Sequence, residues 1–145
     1  MNDALFLRVF GSIFGGIGSI FAIIGIIVAV NTRSFVVSSV KAPGTVTSFI
    51  RSSKVHYPVV KFTPSSGDPI IFESNSGSNP PAFKQGQQVE VLYNPQQPSS
   101  AMINSWGELW LLPIIFTGMG SLFILIGGIA IMSSFPQVVR LWRDK

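Results

Sequence analysis

Two uninterrupted apolar runs bracket this chain, and a polar, turn-rich stretch lies between them. From Val9 to Val30 the sequence VFGSIFGGIGSIFAIIGIIVAV carries no charge over 22 residues, and from Leu111 to Met132 LLPIIFTGMGSLFILIGGIAIM does the same. At about 1.5 Å per residue each predicts a helix of roughly 33 Å, enough to cross a hydrocarbon core of about 30 Å. A soluble chain of 145 residues has too little interior to bury two helices that are apolar all round. The first run exceeds the roughly 7–15 residues of a signal-peptide core, and its exit IVAVNTRSF lacks a small-x-small cleavage pattern. An uncleaved anchor is the expectation.

Between the runs the pattern changes period. Residues 31–110 lack helical spacing and break into short β-rich stretches separated by turn residues. GTVTSFI, VHYPVVKF, PIIFES and VEVLYN read as strands, AMIN closes the set, and SFVVSSV is a further strand or a linker. PSSGD and NSGSNPP are loops, and QQVEVLYNPQQPSSAMI reads as a strand, a Pro-rich turn and a second strand. Pro58 has no N–H to give to a ladder, which predicts a sheet edge at that point. The fold class expected is integral membrane α plus all-β: two transmembrane helices flanking a small five- to six-stranded β-barrel or sandwich. The divisions are a short N-terminus (1–8), helix one (9–30), the β-domain (31–110), helix two (111–132) and a basic tail (133–145).

Composition agrees with lipid contact. Charged residues make up 11% of the chain, against about 25% in soluble domains, and the mean hydropathy is +0.48. Of the net charge of +4, Arg8, Arg140, Arg143 and Lys145 flank the terminal sides of the runs, while Arg33 and Lys41 flank the inner sides. Basic residues favour the cytoplasmic face, so both termini are expected inside a multi-pass plasma (cell inner) membrane protein, with 31–110 outside. No basic stripe interleaved with aromatics occurs in the middle, so nucleic acid is not an expected partner. Cysteine is absent, which removes disulfides, thiol chemistry and Cys-based metal sites.

Small residues line one face of helix one. Gly11, Gly15, Gly18, Ala22, Gly25 and Ala29 recur in steps of four and three, as expected of a helix-packing face in lipid. The partner of that face, whether helix two, another copy or a different protein, is not written in the spacing. Trp106 and Trp110 are expected at the membrane interface, with Arg140 and Arg143 of the tail at the other. Pro113 is expected in the first turn of helix two.

The set APGTVTSF, YPVVKF and SGSNPPAFKQGQQVEVLYNPQQPSSAMI resembles a bacterial two-helix membrane family known only as a domain of unknown function. The residues carrying the resemblance are Gly44, Thr45, Val46, Tyr57, Pro58, Val60, Ser78, Pro80, Gly86, Val89, Val91, Tyr93, Asn94, Pro95, Pro98 and Ala101. The resemblance spans the chain and implies the order helix, β-domain, helix. It carries over no common biochemistry.

Candidate chemistry is sparse. His56 is the single histidine, too few for a His-based zinc site within one chain. Asp68, Glu73, Glu90 and Glu108 read as solvated surface charges, although Glu73 and Glu90 could meet across strands. SNSGSNP is not a nucleophile elbow, and GGIGSIF fails the dinucleotide spacing. The runs contain no ionisable residue, which argues against a pump or a coupled transporter. No catalytic, cofactor or metal residue is therefore expected.

The function expected is that of a small non-catalytic accessory, assembly or protein-binding subunit. It would act through its outer domain and its glycine-lined helix face, with membrane lipids and another membrane protein or a second copy as partners. The loop bearing Asn75, Ser78, Pro80 and Phe83 is the expected partner contact, because long loops carry function more often than the frame does. Alternatives are a tethered hydrolase using His56, a toxin-immunity protein and an oligomeric pore.

Overall fold

A computed structural model describes residues 3–135. They form α1 (Asp3–Ser38), β1 (Val40–Ser52), β2 (Val55–Phe62), β3 (Ile70–Glu73), β4 (Gln88–Asn94), β5 (Gln97–Ile103) and α2 (Trp106–Ser133). Two compact units result, one from the helices and one from residues 30–111. Arg140, Arg143 and Lys145 lie outside the described residues.

In the helical unit α1 and α2 are both long and apolar enough to cross a membrane. Only 11% and 17% of their most apolar windows are buried, which is not the state of helices enclosed in a protein core. Their contact is built on glycine. Gly11, Gly18 and Gly25, seven residues apart, are buried against α2. A Cβ on Gly18 would lie 2.8 Å from the Gly120 carbonyl oxygen and 2.8 Å from the Ile124 nitrogen. One on Gly127 would lie 2.6 Å from the Gly11 carbonyl oxygen and 2.7 Å from the Gly15 nitrogen. Gly25 faces Thr117. The seven-residue repeat keeps one seam turned to its neighbour, as in left-handed helix pairs. Phe14 and Phe21 close the flank of that seam, with ring centroids 5.4 Å and 6.2 Å from Phe123.

Near its C-terminal end α1 corrects the sequence reading. SFVVSSV is neither a strand nor a linker in the main: Ser34–Ser38 continue the helix, and β1 starts at Val40. No Gly or Pro interrupts Asn31–Ser39, so propagation continues despite the β-branched pair Val36–Val37. Ser39 ends it by donating its hydroxyl to the Phe35 carbonyl at 2.6 Å. Helix α2 also starts early, which moves Pro113 from an expected first turn into the helix interior.

The five strands form one antiparallel sheet in the order β3-β2-β1-β4-β5. The outer strands β3 and β5 approach within 8 Å (Cα–Cα), so the sheet curls into a nearly closed barrel. This is the strand order of a five-stranded Greek-key barrel of the OB type, a statement of topology that implies no activity. β1 makes the curl possible. Its first half pairs with β4 and its second with β2, and a bulge between Val46 and Ser48 bends it where the partners change.

β2 is an inner strand, not an edge. Pro58 is tolerated because its carbonyl accepts from the Ser74 N–H at 2.9 Å, just past the end of β3; its imino nitrogen faces the same side, where no ladder bond is asked of it. Gly44 lies inside β1, where a Cβ would meet Val91 Cγ2 at 2.6 Å and Val60 Cγ1 at 2.9 Å.

The inward faces supply the core: Ala42, Val46, Val60, Phe62, Phe72, Val91, Tyr93 and Ile103. Phe62 sits at its aromatic centre, with ring centroids 5.3 Å from Tyr93 and 5.8 Å from Phe72. The Tyr93 hydroxyl accepts from the Ser65 N–H at 3.1 Å and so fixes the β2–β3 turn.

Candidate functional site

The β3–β4 connection, residues 74–87, is long, yet it is held in one shape. Ser74, 2% exposed, accepts from the Ser76 N–H at 3.1 Å. His56 and Ser78 exchange both backbone hydrogen bonds at 3.1 Å, an isolated bridge that ties the loop to β2. Gly77 lets the loop lie flat there, since a side chain would run into Val55 and Tyr57. Ser78 Oγ accepts from the Ala82 N–H at 2.8 Å, and Phe83 packs on the barrel core. Asn75 and Pro80 remain exposed on the outer side.

The inner side of this loop faces the start of α2. Ser105 caps that helix, its hydroxyl accepting from the Glu108 N–H at 3.2 Å. In a capping box the acid at the fourth position turns back to the cap residue. Here it does not. The Glu108 carboxylate turns to the β3–β4 connection, within the same unit, and accepts from Ser74 Oγ at 2.9 Å.

Burial pushes the Glu108 carboxyl above the usual carboxylate range, outweighing the hydrogen bonds from Ser74 and from the Ile103 backbone that pull it down. Glu108 precedes the apolar run that starts at Leu111, and it is half-buried rather than a solvated surface charge. Between loop and helix lies a cleft of about 310 Å³. Ser76, Ser78, Ser105 and Glu108 give it a polar floor, and Ala82, Phe83 and Leu111 give it apolar walls.

Ser78 and Phe83, expected at a partner contact, thus share a cleft with Ser105 and Glu108, which the sequence reading did not single out. The spacing Ser105-Trp106-Gly107-Glu108 is the signal that could have marked them. Trp106 is exposed and Trp110 half-buried in the first turns of α2. Among the helix-packing residues, Gly11, Gly18 and Gly25 are fully enclosed; Gly15 and Ala22 present backbone atoms to Gly127 and Gly120.

Glu73 and Glu90 do not meet. Glu90 pairs with Lys41 at 3.0 Å and accepts from Asn104, and these bonds hold its carboxyl below the usual range. His56 Nδ1 is buried with no hydrogen-bond partner, and among the described residues no hydrogen bond joins the ring to a serine or a carboxylate. The ring lies edge-on to Phe49, centroids 6.4 Å apart. His56 is not among the residues that line the cleft.

The capping hydroxyl gives a direct test. Ser105→Ala is expected to cost about 1 kcal/mol of stability, measured by denaturant unfolding of the full chain in detergent. Glu108→Gln tests the buried acid. A carboxyl whose folded value is raised contributes stability that is full below its unfolded value of about 4.3 and is lost as pH rises through the folded value. The wild type should therefore lose stability as pH rises through that window, and the Gln variant should lack that loss. The check is melting temperature against pH in lipid-free detergent.

No curated protein and no solved structure matches this chain. A family match covers residues 25–108, from within α1 through all five strands to Glu108, and this is more than half of the chain. The protein belongs to the family of the domain of unknown function DUF3592.

Proposed function

We propose that this chain is a small integral membrane protein that serves as a non-catalytic accessory, assembly or protein-binding subunit. In this reading the runs 9–30 and 111–132 cross the plasma membrane, both termini are cytoplasmic, and the β-barrel stands outside. Support comes from the two long helices whose apolar surfaces are left uncovered by protein. The excess of Lys and Arg on the terminal sides supports the orientation.

One observation carries the binding role: the loop 74–83 is fixed by Ser74, Gly77, Ser78 and Phe83 while Asn75 and Pro80 face outward. A surface already held in one conformation loses little entropy when a partner docks. A photo-crosslinking side chain at Asn75, activated in native membranes, is expected to give an adduct of defined mass containing a second protein or a second copy. The same group at Lys61, exposed on β2 and outside the loop, should give none. Monomer alone at Asn75, across several mild conditions, would remove the proposal.

A further inference from the structure

The cleft beneath the loop holds an acid that the protein leaves without a counter-charge. Among the described residues the ion pair is Lys41–Glu90, and no Lys or Arg pairs with Glu108. Its carboxylate has two hydrogen-bond donors, Ser74 and the Ile103 backbone, and both are neutral. A half-buried charge in this state is costly unless a cation completes it. The space beside it is about 310 Å³, with serine hydroxyls on one side and Phe83, Ala82 and Leu111 on the other. An occupant must therefore bring an ammonium group to Glu108, hydrogen-bonding oxygens to the serines and some apolar body to the walls.

The surroundings say where such an occupant comes from. Leu111 is both a wall of the cleft and the first residue of the apolar run, and it is 46% exposed. Trp106, 63% exposed, stands five residues earlier on α2. Tryptophan beside the start of an apolar run is the pattern of the headgroup layer. From these residues we infer that the cleft binds the headgroup of an amine-bearing phospholipid, its primary ammonium on Glu108 and its phosphate and glycerol oxygens toward Ser76, Ser78 and Ser105. This rests on the membrane reading above, and it is independent of the partner assigned to Asn75 and Pro80, which do not line the cleft. The quaternary-ammonium counterpart, phosphatidylcholine, carries the same charge but has no N–H to donate and is bulkier at nitrogen, so the site should discriminate against it.

The test uses the full chain in nanodiscs of phosphatidylcholine alone and of phosphatidylcholine with phosphatidylethanolamine. Native mass spectrometry after mild release counts retained lipid, and a melting curve reads the effect on stability. The wild type should retain phosphatidylethanolamine over phosphatidylcholine by about fivefold, the scale of one hydrogen bond gained, and should melt higher in its presence.

Glu108→Gln should abolish that preference while remaining folded. Ala82→Trp, which fills the cleft and leaves the acid in place, should abolish it too. Equal retention of the two lipids by the wild type, or an undiminished preference in both variants, overturns the inference. Flotation with phosphatidylcholine vesicles separately tests embedding: a chain that floats without headgroup preference defeats the cleft assignment alone, and one that does not float defeats the membrane reading.

Discussion

Replacing Phe62 with alanine is expected to remove about 3–5 kcal/mol from the stability of the β-barrel, the cost of a large cavity in a packed core. Phe62 is 2% exposed and touches the two other aromatic rings of the core, Phe72 from β3 and Tyr93 from β4. Those strands lie on opposite sides of the β1–β2 pair, so the lost ring is the one that joins the two flanks of the sheet. A barrel of this size has a thin core and a total stability of only about 5 kcal/mol or somewhat more. The variant should therefore be largely unfolded in residues 40–103 under conditions where the wild type is folded. Ile71→Ala is the control. Ile71 is 63% exposed on β3, and its loss should change stability by less than about 0.5 kcal/mol. Hydrogen exchange of the full chain in detergent separates the outcomes: amides of β1, β2 and β4 should lose protection in Phe62→Ala and keep it in Ile71→Ala. Full protection in both variants would mean that the aromatic cluster does not hold the barrel.

The second large effect belongs to the helices. Gly18→Leu is expected to destabilise the α1–α2 contact by about 3 kcal/mol, the upper end of the usual cost of overpacking. The upper end applies because two of the atoms that an added Cβ would meet at 2.8 Å, the Gly120 oxygen and the Ile124 nitrogen, are backbone. Such atoms do not swing aside as the end of a long side chain does. Gly16 is two residues away, has nothing within 4 Å of its Cβ position and supplies the matched control. Gly16→Leu should be neutral or slightly stabilising, since leucine is the better helix former. Unfolding in mixed detergent–SDS micelles reads the difference between the two variants. Equal midpoints would show that the glycine seam is not what brings the helices together.

The sequence made some of this legible and hid the rest for physical reasons. Long uncharged runs signal helices by length alone, and turn residues at regular intervals signal short strands. Gly11, Gly18 and Gly25 stood out because a helix puts every seventh residue on nearly one face. The segment Ser34–Ser38 misled because Val36 and Val37 favour strands locally, while a helix already under way has no nucleus to form again. The reason for a glycine at position 44 was hidden, because nothing near it in sequence hints at Val91 and Val60 closing in from two neighbouring strands. The Ser74–Glu108 bond was out of reach for the same reason. Its partners are 34 residues apart, and their meeting depends on the path of the whole β3–β4 loop. The capping-box spacing from Ser105 to Glu108 could have marked that place, though for a local role that the Glu108 side chain does not take.

Lipid around α1 and α2, with the barrel in water, is the claim on which the rest stands. The chain lacks cysteine, so single-cysteine variants can be probed without background. Variants Ile23→Cys, Ile124→Cys and Asn75→Cys, expressed in intact cells and exposed to a membrane-impermeant maleimide, give the most direct measurement. The account predicts rapid labelling of position 75 from outside and none at positions 23 and 124, even after the cells are permeabilised without dissolving the bilayer. Labelling at 23 or 124, or reaction at 75 only after permeabilisation, would contradict it, the first by placing a helix in water and the second by placing the barrel inside.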